Sequence, residues 1–236
     1  MTLRHHFELR ETIATILADD EQVIDTTCEG IRQARYELER YIIQDPFFNS
    51  SFEPLPIRDG PEIILNMAAA AWKAGVGPMA AVAGAVAHAG VSAAQKSGAS
   101  FCIVDNGGDI AMITDRPVRV GLYAGNSPLS GNYAFFIPPK KEIFGICTSS
   151  ATVGHSFSFG TADSVTVFAA NPLLADAVAT AVCNTLTIAD QSCLDQVDPH
   201  IDGIFAVFGE QSIIWGEIPQ IVRAENREDL ITAGGL

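Results

Sequence analysis

The order in which hydrophobic patterns follow one another is this chain's strongest constraint on its fold. From Glu21 to Gln44 the apolar residues Val23, Ile24, Cys28, Ile31, Ala34, Leu38, Tyr41 and Ile42 recur at helical spacing, with charges on the other face. Pro46 ends that run, and 46–60, with Pro54 and Pro56, reads as loop. "PEIILNMAAAAWKAG" predicts a second helix with Pro61 in a first-turn position. Gly75-Val76-Gly77-Pro78 breaks it, and a third helix runs from about Met79 to Lys96. Beyond Gly98 the texture changes. "SFCIVDNGGDIAMIT" reads as strand, turn, strand, and "VRVGLYAG", "NYAFFIP", "FGICTSS" and "DSVTVFAA" as further short strands. An Ala-rich helix over 172–188 follows, then a hairpin in "GIFAVFGEQSIIWGE" turning at Gly209-Glu210-Gln211. Ahead of all this, "HFELRETIATILAD" alternates as a strand or strand pair. Helices grouped together and strands grouped together predict an α+β fold with a largely antiparallel sheet, not repeated βαβ units. No Pro/Ser/Gly linker or charge run divides the chain, so one domain is expected over 1–236.

Charge narrows the function classes. The formal net charge is −14, from 28 acidic and 14 basic residues, so the chain has no general attraction for phosphate backbones and no nucleic-acid partner is expected. Cys28, Cys102, Cys147, Cys183 and Cys193 form no CxxC and no zinc spacing, which fits buried thiols in a reducing cytoplasm. The first residues carry no apolar leader, and a cytoplasmic location is expected. Ala74 to Ala94 has no formal charge and the length of a bilayer span. It is mostly Ala and Gly, with Pro78 and His88, and reads as a closely packed buried helix with no membrane partner.

Four stretches carry candidate chemistry, each with a structural reading beside it. In "DNGGDI", Gly107-Gly108 either makes an ordinary hairpin turn or lets the backbone approach a ligand that Asp105, Asn106 or Asp109 contacts. "GVGPMAAVAGAVA" lacks the Gly-Lys-Ser/Thr end of a P-loop. It is either a helix start with small residues for close packing or a glycine loop facing a ligand. In "GICTSSATVGHSFSFGTADSVTV", Thr148, Ser149 and Ser150 precede His155, a residue able to act as acid or base near neutral pH. The same loop also reads as a polar surface segment. In "NPLLADAVATAVCNTL", Asp176 and Thr180 stand four apart on one helix face. Carboxylate and hydroxyl oxygens suit a hard cation such as Mg²⁺. Alternatively Thr180 bonds back to the Asp176 carbonyl while Asp176 caps a neighbouring turn.

Taken in order, "DNGGDI", "CTSS", a histidine, and "SVTVFAANPLLADAVATA" resemble the ApbE family of magnesium-dependent flavin transferases, over roughly residues 60–190. "ADAVATA" at 175–181 fits that family's Ala-Asp-Ala-x-x-Thr-Ala residue for residue. The resemblance implies a T-fold-like, ApbE-type α+β domain. It implies Asp176, Thr180 and the backbone carbonyl of Ala80 as Mg²⁺ ligands. Asn106, Gly107, Gly108 and Asp109 would border a pocket for FAD, with Thr148, Ser149 and Ser150 at its phosphates or ribose. His155 would be the catalytic residue. A nucleotide or flavin would then be the small-molecule partner, and a homodimer is allowed. The chain departs from the family where Ala81-Val82 replaces Lys-Gly, in the loop after His155, and in lacking the Met-Gly-Thr segment. In this it is similar to a shorter branch linked to sulfur insertion into homocysteine. Two functions follow: a Mg²⁺-dependent flavin or dinucleotide transferase or hydrolase, or a non-catalytic accessory protein in sulfur assimilation.

Overall fold

The computed structural model describes residues 2–151, 160–225 and 232. The chain opens with a hairpin, β1 (Leu3–Leu9) and β2 (Thr12–Ala18), followed by α1 (Glu21–Gln44). Asp20 starts α1 by accepting the Val23 amide at 2.9 Å, and the helix stops at Asp45, before Pro46. Its buried stripe of Ile24, Cys28, Ile31, Ala34 and Leu38 follows the spacing that predicted it. The expected loop of 46–60 contains one short helix, α2 (Phe47–Ser50), whose Phe48 is buried.

Three further helices complete one layer. α3 (Glu62–Ala74) ends at Gly75, whose φ of 73° is the left-handed conformation a helix terminus favours in glycine. A 3-10 turn, Pro78–Ala81, leads into α4 (Val82–Lys96). α5 (Pro172–Thr185) begins at Asn171, whose side chain accepts the Leu173 and Leu174 amides at 3.0 and 3.2 Å.

The strands are β3 (Cys102–Asn106), β4 (Asp109–Thr114), β5 (Val118–Gly121), β6 (Tyr133–Ile137), β7 (Lys140–Ser149), β8 (Ser164–Ala169), β9 (Ile201–Phe208), β10 (Gln211–Gly216) and β11 (Gln220–Arg223). Eight of them form one sheet in the order β1-β2-β3-β4-β7-β8-β9-β10, antiparallel throughout. β5, β6 and β11 form a second, three-stranded antiparallel sheet in the order β11-β6-β5. The α+β class with an antiparallel sheet is therefore what the chain adopts.

The large sheet divides the core. On one face Val104, Ala111, Cys147, Val165 and Val167 pack with the helices. On the other, Ile103, Met112, Ile146 and Phe168 pack with Phe135 and Ile137 of the small sheet. Phe135 meets Phe168 and Phe205 edge-on, with ring centroids 4.9 and 5.7 Å apart. All five cysteines are thiols, and Cys28, Cys102, Cys147 and Cys183 are buried. Among the described residues no single helix is long and apolar enough to cross a membrane. The bent pair Glu62–Ala74 and Pro78–Lys96 passes that test only in combination, at 104° to each other.

Two glycines set the position of α5. A Cβ on Gly84 would stand 2.5 Å from the Pro172 carbonyl oxygen and 2.9 Å from Asp176 Cβ. A Cβ on Gly145 of β7 would stand 2.6 Å from Pro172 Cα. Pro172 is thus held between α4 and the sheet by two positions that tolerate no side chain. Gly84→Ala ought to gain about 0.5–1 kcal/mol from helix propensity alone. Here the clash dominates, and a net loss of about 1–3 kcal/mol is expected in denaturant unfolding. A variant as stable as the parent would show that α4 and α5 do not approach this closely.

Candidate functional site

The hairpin β3–β4 brings the first pieces together. Gly107 and Gly108 have φ of 71° and 101°, so the two-residue turn requires glycine at both positions. Asp105 Oδ1 steadies it by accepting the Gly108 amide at 2.9 Å. The turn pairs Asn106 with Asp109 across the ladder, and Asp109 in turn lies opposite Cys147 of β7. These three share the face of Val104, Ala111 and Val167, the helix side.

The helices bring the rest. Asp176, 8% exposed, lies on α5 one turn after Pro172. Its Oδ2 accepts the Gly84 amide at 2.8 Å, and the Ala83 amide also bonds to it. α4 has Ala81 at its N-cap position and no capping side chain of its own. Asp176 supplies the cap from another helix and sets its charge at the positive end of α4. Asn106 Nδ2 holds the same turn from the sheet, donating to the Ala83 carbonyl at 3.1 Å. Of the structural readings for this stretch, the capping of a neighbouring turn by Asp176 is therefore present.

The electrostatics of the cluster are unusual. Burial pushes the Asp176 carboxyl up to about 7 from the ordinary 3.8, against the pull of the Gly84 and Ala83 amides. Burial first, then the neighbouring Asp176 charge, raise Asp109 well above the ordinary carboxylate range. Burial and the two carboxylates raise the Cys147 thiol well above its usual value. That thiol donates to the Pro172 carbonyl at 3.3 Å. Asp109 Oδ1 is shielded from solvent and has no hydrogen-bond partner.

The remaining candidates lie as follows. Thr180 follows Asp176 by one turn of α5, is half-buried, and forms no side-chain hydrogen bond among the described residues. Ala80 sits in the 3-10 turn just ahead of α4, its side chain packed with the core cluster that includes α5. Ser149 shares the helix side with Cys147. Thr148 points the other way and pairs its hydroxyl with that of Thr166 at 2.9 Å. Ser150 donates to the Asp163 carbonyl at 2.7 Å. Asp105 is also on the far face, where Thr232 donates to its Oδ2 at 2.6 Å. His155 lies outside the described residues.

Asp109, expected at the border of the nucleotide pocket, lies beside Asp176 and Cys147. Pro172 and Cys147 join the site through long-range packing for which the sequence carries no local signal. In "DIAMIT", Asp109 falls in phase with Ala111 and Ile113 on the helix side, but both faces of β4 are buried, so alternation alone does not mark that side.

Two carboxylates meet here, with Thr180 one turn further along α5 and the 3-10 turn of Ala80 just ahead of α4. Among the described residues no three His, Cys, Asp or Glu side chains gather as a metal cage. The orphaned Asp109 oxygen, beside a second carboxylate, nonetheless fits a hard divalent cation that takes its other ligands from hydroxyl, carbonyl and water. The two clearest surface cavities lie elsewhere, one beside Thr187 and Phe208, the other beside Pro138 and Glu217. Neither includes Asp109 or Asp176.

Asp176 gives a sign for pH. Its folded value of about 7 lies above the ordinary 3.8, so a proton favours the folded state. That contribution is complete below about pH 3.8 and is lost as pH rises through about 7. In chelator, the melting temperature of the wild type should fall over this window more steeply than that of Asp176→Asn. Parallel profiles for the two proteins would contradict the assignment.

The family described as AbpE bacteria matches residues 2–200. A UPF0280 protein of Methanospirillum hungatei is 89% identical over 236 residues, covering 100% of this chain and 97% of the relative. A UPF0280 protein of Methanosphaerula palustris is 52% identical, covering 99% of each. Among solved structures, the apo flavinyl transferase ApbE of Pseudomonas stutzeri aligns with a TM-score of 0.56 at 12% identity, covering 100% of this chain and 98% of that one. The ApbE protein of Thermotoga maritima aligns at 0.60 and 12% identity, covering 99% and 100%. These structures share the fold with this chain. The resemblance drawn from "ADAVATA" and its companions thus holds at the level of family: the chain belongs to the AbpE bacteria family and groups there with the UPF0280 proteins.

Proposed function

We propose that this protein binds a flavin dinucleotide through Mg²⁺ and transfers or releases part of it by attack at the diphosphate. The observation that carries the reading is the Asp176 carboxylate, fixed at the start of α4 beside a second buried carboxylate and one turn from Thr180. Asp176 and Thr180 would hold the cation, with the Ala80 carbonyl beside them. When bound, Mg²⁺ would offset the diphosphate charge and the charge that develops on the leaving phosphate.

The chain's own contribution is positioning. Asn106 and Asp176 together immobilise the first turn of α4, so the ligand oxygens need no rearrangement to meet the cation. Gly107 and Gly108 present bare backbone at the mouth of the hairpin, and a Cβ at either would meet nothing within 4 Å. A phosphate or ribose can approach there more closely than any side chain would permit. Ser149 stands on the same side of the sheet, while Thr148 faces away. His155 is the acid or base that the sequence offers.

The departures from the family, above all Ala81-Val82 in place of Lys-Gly, favour a second reading. In it the protein binds the ligand without turnover and serves as an accessory factor, for example in sulfur assimilation. One experiment addresses both readings. Wild type, Asp176→Ala and Thr180→Val are melted in chelator, in Mg²⁺, and in Mg²⁺ with FAD, and the FAD is recovered by chromatography. A ligand at 100 times its Kd adds about 2.7 kcal/mol of stability, which is several degrees for a chain of this size. That shift is expected in wild type and absent in both variants, with FAD cleaved under the first reading and intact under the second. Equal behaviour of all three proteins in all three conditions would overturn the cation site.

A further inference from the structure

Asp109 is the buried carboxyl group that the reading above leaves without a task. Burial and the Asp176 and Asp105 carboxylates act against its charge, the Cys147 thiol and the Thr148 amide hydrogen-bond to it, and none of these groups is cationic. Its Oδ1 is closed off from solvent with no donor. A carboxylate so placed is costly unless something positive meets it. Structure alone does not ask for it. The turn is held by Gly107, Gly108 and Asp105, and the first turn of α4 by Asn106 and Asp176. An ionised Asp109 in direct contact with a diphosphate would have the wrong sign, since two anions would face each other in a desolvated place. A divalent cation between Asp109 and Asp176 satisfies both carboxylates and occupies the vacant lone pairs of Oδ1.

We propose that Asp109 is a direct ligand of the cation, so that two carboxylates hold it before any nucleotide arrives. The proposal rests on the reading of Asp176 as a ligand and moves Asp109 from the nucleotide pocket to the metal shell. Two carboxylates match the charge of one divalent ion, giving a neutral cation site to which a nucleotide adds its phosphates as further ligands. Were Asp176 the lone carboxylate, most of the cation's affinity would come from the nucleotide.

The test uses Mn²⁺ as the probe, titrated into the purified full chain and followed by electron paramagnetic resonance of the free ion, without and with FAD. The proteins are wild type, Asp109→Asn, Asp109→Ser as a smaller replacement, and Asp176→Asn. Melting in chelator reports folding. Wild type is expected to bind one Mn²⁺ without nucleotide. The Asp109 variants should bind at least tenfold more weakly while melting in chelator no lower than wild type, because a buried oxygen without a donor has been removed. Mn²⁺ affinity within twofold of wild type in a folded Asp109 variant, with affinity lost in Asp176→Asn, would overturn this proposal and leave the cation reading standing. Mn²⁺ binding by wild type only when FAD is present would overturn it in the same way. No Mn²⁺ binding in either condition would overturn both.

Discussion

The bond from the Gly84 amide to the Asp176 carboxylate is the interaction on which the arrangement of the site depends. A helix beginning with Ala81-Val82-Ala83-Gly84 has no side chain able to receive its first amides. α5 supplies the missing acceptor. It can do so because Pro172 is lodged between Gly84 and Gly145, where no other side chain intrudes. Removing the acceptor leaves first-turn amides orphaned, and removing the amides leaves a buried carboxylate without compensation. The two helices therefore fix each other.

The sheet adds a second charge to this pairing. β4 lies next to β7, so the two-residue turn at Gly107-Gly108 delivers Asp109 to the same interior side as Cys147 and opposite the start of α5. One carboxylate caps a helix end, and the next keeps one oxygen, Oδ1, without a donor. That asymmetry separates a structural cap from a site. Asp176 alone reads as a cap that stabilises the fold, whereas Asp109 adds like charge at a place already short of solvent. Such pairs persist in proteins where a proton or a cation is shared between them.

Much of the fold was legible because its boundaries carry local signals. α1 is bracketed by the Asp20 cap and Pro46, and its bounds of Glu21 to Gln44 follow from the apolar spacing alone. The β3–β4 hairpin is announced by paired glycines. The division of strands into two sheets was not legible, because β5 and β6 look like any other short strands until their pairing with β11 separates them. β11 itself, "QIVR", is four residues long, and only Gly216 and Pro219 ahead of it mark a break. At the site, Asp176 and Thr180 stood out because helical spacing places them together. The hydroxyl group of Thr148, Ser149 and Ser150 read as a single patch, yet strand alternation sends Thr148 to the far face to meet Thr166. The neighbours of Asp109 are long-range, arriving from β7 and α5, and no local pattern contains them.

Amide hydrogen exchange at Gly84 tests the central claim most directly. First-turn amides of a helix have no acceptor within the helix and ordinarily exchange fast. If Asp176 caps α4, the Gly84 amide is protected in the wild type. In Asp176→Ala that protection is lost, while Val91 and Ala94, deep in the same helix, stay protected. Fast exchange at Gly84 in the wild type, or protection unchanged in the variant, would contradict the account.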